Sequence, residues 1–164
     1  MKVSRTIAAL CLVLSSMVTV DLAAIERKPL PPLEWTAVDG SQVTSAQMVR
    51  QGRWLLLYLE PGCRQCESLL RLVDPDDHPA LPAKIVVVVG GADASGVAAS
   101  AQKFPNLAGA TWVADQSRST LKALKLPGAP VILGLEQQMI EWSLAGVLGD
   151  SSDVRSVMTS WVSR

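Results

Sequence analysis

Histidine and cysteine are scarce in this 164-residue chain: one histidine, His78, and three cysteines, Cys11, Cys63 and Cys66. Tetrahedral zinc takes four ligands, so a zinc site is poorly supplied. A copper carrier built on Cys63, Cys66 and His78 meets the same shortage. Charge of one sign is missing too, with 15 basic residues against 15 acidic and no long run of either. Nucleic acid and anionic membrane surfaces call for a basic excess, and neither is expected as a partner. No apolar run reaches the ~20 residues that a spanning helix prefers; the best, over 7–20, falls short. No internal repeat, second core or dimerisation segment is visible. The chain suits one monomeric domain behind an N-terminal extension.

What is present is the stretch 54–72, WLLLYLEPGCRQCESLLRL. It reads as an apolar strand over 54–59, a turn at Glu60-Pro61-Gly62, and a helix opened by Cys63-Arg64-Gln65-Cys66. The first cysteine thus sits at the helix's leading end, where unpaired N–H groups and the helix dipole favour negative charge and so a thiolate. Two cysteines at this spacing can also close a disulfide across the first turn. The chemistry served is thiol–disulfide exchange: one thiolate attacks a partner's disulfide and the second resolves the mixed disulfide. A purely structural bridge is the competing reading. It would close a very small loop, where the chain-entropy benefit of a disulfide is least.

Residues 1–24 have the look of a signal peptide. Lys2 and Arg5 precede the apolar run, and Ala23-Ala24 offers a cleavage site. Cleavage is preferred over a retained anchor, the only route by which this chain would engage a membrane. Leu10 before Cys11 argues against lipidation. Export would place Cys63 and Cys66 in an oxidising compartment such as the periplasm.

The segment 25–32, with Pro29, Pro31 and Pro32, reads as an extended tether rather than an element. Over 33–164 the expected order begins with an edge strand at 33–37, a turn at Asp39-Gly40, a short strand at 42–44, and a helix capped by Ser45 and ended by Gly52. The strand 54–59 follows, then the CxxC helix with Leu69, Leu70 and Val73 on its inner face, stopped at Asp74-Pro75-Asp76-Asp77. His78, in the next loop, reads as solvated surface. Strands follow at 85–89, 111–114, 131–135 and 139–144, the last broken by Gly146 and Gly149. Helices are expected over 94–103, over 119–125 with Asp115 or Ser117 as cap, and after Ser151 or Ser152. Val154, Val157, Met158 and Trp161 would share one face of that last helix. The fold class is α/β, with a mixed sheet.

The pattern resembles the thioredoxin superfamily, and specifically exported TlpA/ResA-type thiol–disulfide oxidoreductases. The likeness rests on Asp39-Gly40 in an N-terminal hairpin, the strand-to-CxxC helix at 54–72, the strand 85–89, Gly128-Ala129-Pro130-Val131 leading a strand, and Gly146 closing a hairpin. It implies a central mixed sheet flanked by helices, with the hairpin as an N-terminal extension. It also implies that Pro130 is a cis-proline facing Cys63 and Cys66, with Ala129 presenting its backbone to an incoming peptide; an ordinary trans proline is the alternative. Five positions depart from the family pattern: Gly62 where tryptophan is usual, Leu57 where many members bury an acid, Val131 after the proline, and Arg64-Gln65 between the cysteines. Glu60 reads either as a proton acceptor for the resolving cysteine or as a solvated loop charge. Arg64 would stabilise a Cys63 thiolate.

The expected function is exported exchange of disulfides with protein substrates, with a redox partner protein, no cofactor and no metal. The reductase direction is favoured by the resemblance. The alternative is a periplasmic binding or assembly module on the same fold, with little redox turnover.

Overall fold

The structure is a computed structural model and describes residues 27–73, 78–146 and 151–164. The sequence expectations for the signal segment with Cys11, for the stop at 74–77 and for Gly149 lie outside these residues.

The apolar segments behave as long buried strands must. In β4 (Arg53–Leu59), successive side chains point to opposite faces, and both faces are covered. Leu55, Leu57 and Leu59 pack with Leu69 and Leu70 of α1 (Arg64–Arg71), Val97 of α2 (Ala94–Gln102), and Val154 and Met158 of α4 (Ser151–Val162). Trp54, Leu56 and Tyr58 pack on the other side, with Trp35 of β2 (Glu34–Ala37) and Leu124 of α3 (Ser119–Leu124). That double covering is why the strand reads as a continuous apolar run with no polar alternation.

β4 pairs in parallel with β5 (Ile85–Gly90), and β5 in parallel with β6 (Thr111–Asp115). On its other edge β4 runs antiparallel to β7 (Val131–Glu136), which turns into β8 (Met139–Ala145). The hairpin of β2 and β3 (Gln42–Thr44) joins through β6. With β1 (Lys28–Pro29) at the far edge, this makes an eight-stranded mixed sheet in the order β1-β8-β7-β4-β5-β6-β2-β3. The hairpin is tied down by a buried bond, Trp35 Nε1 donating to Thr120 Oγ1 at 2.8 Å.

Several local expectations change, among them the edge strand: β2 lies between β6 and β3, which leaves β3 at the edge. The proline-rich segment is extended, but it is not only a tether. Lys28 and Pro29 pair with Ile140 and Met139, the Leu30 amide donates to Gln138 O at 2.7 Å, and Leu30 is buried. An edge strand tolerates Pro29 because one side of its backbone needs no partner. Ser45 is not the cap of the next turn. It is buried, accepting from the Leu33 amide and donating to Pro31 O. The 3-10 turn Ser45–Met48 starts from Thr44, whose amide donates to Gln47 Oε1. The α3 start is served by Asp115, as one of the two expected caps, although Arg118 occupies the cap position. Asp115 lies back at the end of β6, and its carboxylate accepts from the Ser119 and Thr120 amides. On α4, Val154 and Met158 are buried and Trp161 half-buried, but Val157 is 41% exposed. The helix is turned so that its buried arc runs through Val154, Met158 and Thr159, which leaves Val157 on the far side of Val154.

Candidate functional site: a cysteine pair at a helix start

The site is built where β4 ends. Gly62, just before the first cysteine, has φ +74°, a left-handed conformation that a side chain disfavours. A tryptophan here would carry that strain, which accounts physically for this departure from the family pattern. Cys63 then takes the N-cap position of α1, its Sγ accepting from the Cys66 amide at 3.1 Å. Cys63 and Cys66 are joined as a disulfide, with Cα atoms 5.2 Å apart. Cys63 is half-buried and Cys66 only 3% exposed. One sulfur can therefore be reached from solvent while the other lies in the core, the asymmetry needed for an attacking and a resolving thiol. The amide that caps Cys63 Sγ would also hold a thiolate there.

A cavity of about 110 Å³ flanks the pair, with Glu60, Glu67 and Lys103 among its charged lining and Leu70, Phe104 and Trp112 among its apolar lining. The Phe104 and Trp112 rings lie 6.5 Å apart and nearly parallel. A larger trough of about 840 Å³ lies between the β2–β3 hairpin and the loop before α3. Its lining is mostly hydroxyl and amide side chains and includes neither cysteine, so the smaller cavity is the one that bears on sulfur chemistry.

Glu60 pairs with a residue that sequence reading passed over. Its Oε1 lies 3.1 Å from Arg118 Nε, with Glu60 30% and Arg118 54% exposed. Beneath this pair Tyr58 is fully buried, and its hydroxyl has no hydrogen-bond partner among the described residues. Burial first, then the negative charges of Glu60 and Asp115, push the Tyr58 phenol up to about 12, while Arg118 opposes them. Nothing local in the sequence marks Arg118, because the fold brings it to Glu60 from 58 positions away. Arg64 is exposed on the first turn of α1. Leu57 is fully buried and offers no acid at that strand position.

The Ala129–Pro130 peptide is cis, as the resemblance implies. The β4–β7 register pairs Tyr58 with Val131, so Pro130 leads β7 at the same end of the sheet as the turn into Cys63. Pro130 O accepts from the Gly146 amide, and Gly146 takes φ +88° at the end of β8. Ala129 is half-buried and packs against the hydrophobic cluster that includes Cys66. His78 is exposed near Leu72, at the opposite end of α1. The length of that eight-residue helix, about 12 Å, separates it from the cysteine end.

No family model matches the chain, and no curated protein matches it. Solved structures do. A secreted disulfide oxidoreductase of Mycobacterium tuberculosis, homologous to E. coli DsbE, aligns with a TM-score of 0.63 at 14% identity, over 78% of this chain and 95% of its own. A thiol:disulfide interchange protein from Bacteroides sp. aligns at 0.64 and 12% identity, over 84% and 90%. The exposed lipoprotein thioredoxin Etrx1 of Streptococcus pneumoniae aligns at 0.58 and 13%, over 79% and 99%. At these identities the likeness shows the fold. This chain has a thioredoxin fold, shared with thiol–disulfide interchange proteins, and it carries a bonded CxxC pair at the head of a helix. No described helix is long and apolar enough to cross a membrane.

Proposed function

We propose that the chain is an exported thiol–disulfide oxidoreductase acting on protein substrates, with the reductase direction favoured. The observation that carries this is the Cys63–Cys66 disulfide at the start of α1, with one sulfur half-buried and the other buried. In the reductive direction the Cys63 thiolate attacks one sulfur of a substrate disulfide. A mixed disulfide forms and the substrate's other sulfur leaves as a thiolate, taking up a proton. Cys66, after losing its proton, attacks Cys63 Sγ. The substrate is released with both thiols reduced, and the Cys63–Cys66 disulfide is left behind. Two electrons have moved, and a dithiol partner protein must restore them. Ala129 and Pro130 form the shelf on which the substrate backbone lies, Glu60 is available to take the Cys66 proton, and Arg64 favours the Cys63 thiolate.

Export is supported by the character of residues 1–24, and by two of the similar structures, one a secreted oxidoreductase and the other an exposed lipoprotein. Residues 33–164, together with the β1 strand of the segment before them, form the working domain, acting as a monomer.

The test is turnover of a disulfide-bonded protein substrate by the reduced chain, together with the reduction potential of the couple. Turnover should vanish in Cys63→Ser, and Cys66→Ser should accumulate the mixed disulfide. A strongly oxidising potential would overturn the reductase direction. The apolar Leu57 favours the second reading, a binding module with weak turnover, and cysteine-free variants that keep full biological activity would establish it.

A further inference from the structure

We infer that Arg118 is a positioning residue for the cysteine pair: by holding Glu60 in an ion pair it offsets a carboxylate charge at the cavity beside both sulfurs, and so eases ionisation of Cys63. The inference rests on the reading of Cys63 as the attacking thiol. Glu60 lies three residues before Cys63 and lines the same cavity as Cys63 and Cys66. An uncompensated carboxylate there disfavours a second negative charge nearby.

The fold goes to some length to bring the cation in. Arg118 has φ +55°, and its amide donates to Asp115 O at 3.0 Å, which turns the loop back at the end of β6. Its guanidinium crosses Gly91, where a Cβ would come within 3.1 to 3.3 Å of three guanidinium atoms. Gly91 leaves room that any other residue would narrow. With both side chains partly in solvent, the pair adds little to stability. Its consequence is therefore electrostatic.

The other charged groups around the pair are accounted for. Arg64 follows Cys63 on α1, and Glu67 and Lys103 line the cavity from α1 and from the end of α2. Tyr58 and Asp115 lie on the Arg118 side, Tyr58 as a neutral phenol and Asp115 bonded to the Ser119 and Thr120 amides. Of these groups Arg118 is the one within hydrogen-bond distance of Glu60.

The measurement is the pH dependence of Cys63 alkylation in the reduced full chain, read by mass mapping, with circular dichroism to check folding. Arg118→Gln should move the midpoint upward by on the order of half a pH unit, the size that a single nearby charge has in water-like surroundings. It should also make the couple more reducing. Arg118→Lys should keep the midpoint near its starting value. Glu60→Gln should move it downward, and in that background Arg118→Gln should have a smaller effect. An unmoved midpoint in Arg118→Gln overturns the inference, as does an equal rise with and without Glu60. If Arg118→Gln fails to fold, Glu60→Gln alone decides, and no downward shift refutes the idea. Loss of turnover in wild type alongside the expected shifts would overturn the oxidoreductase reading and leave this inference standing.

Discussion

Raising the pH on the oxidised protein should separate Tyr58 from an ordinary tyrosine. Its phenol is pushed up from 10 to about 12, chiefly by burial and then by Glu60 and Asp115. A phenol is neutral while it keeps its proton, so the folded state favours the protonated form. The stability this provides is complete below about pH 10, where folded and unfolded chains both hold the proton. It is lost between about 10 and about 12, where the unfolded chain ionises first. Two units at ~1.4 kcal/mol each make the full decline about 3 kcal/mol. The chain has one tyrosine, so the near-ultraviolet absorbance of tyrosinate has a single source. The native midpoint should lie near 12 and return to about 10 in denaturant. Tyr58→Phe should lack this part of the alkaline loss, and comparing it with wild type removes the contribution of the lysines. At neutral pH Tyr58→Phe should cost nothing, because it deletes a buried hydroxyl with no partner among the described residues. A native midpoint near 10 would refute the burial on which the reasoning stands.

Gly134→Ala should destabilise by about 1–3 kcal/mol, read from the urea midpoint, because its Cβ would fall 2.0 Å from the Trp142 ring and force the indole off β7. Trp142 is itself held edge-on to Trp161, with centroids 5.8 Å apart, so it has little room to yield. On α4, Val154→Ala should cost about 1–2 kcal/mol in the same assay and Val157→Ala almost nothing. Equal costs would show that 157 faces the sheet after all.

Much of the arrangement was legible in advance, for identifiable reasons. Continuous apolar runs at 54–59 and 85–89 read as strands covered on both faces, and the helix after Glu60-Pro61-Gly62 had its cysteines at the leading end. The small errors came where one residue had two uses. Ser45 reads locally as a cap, yet its hydroxyl is spent on the backbone of Leu33 and Pro31. Val157 is apolar, yet it falls outside the buried arc.

The chain's local order therefore determined its strands, its turns and the sulfur pair, since each depends on neighbours a few residues apart. The cis geometry at Pro130 was implied only by family likeness, and its closeness to the cysteine turn required the β4–β7 register. The tertiary structure alone decided that Lys28 and Pro29 complete the sheet, that Glu60 meets Arg118, and that Tyr58 lies buried beneath them. These are contacts between residues distant along the chain. Their energies depend on packing and shared charge, which no short stretch of sequence encodes.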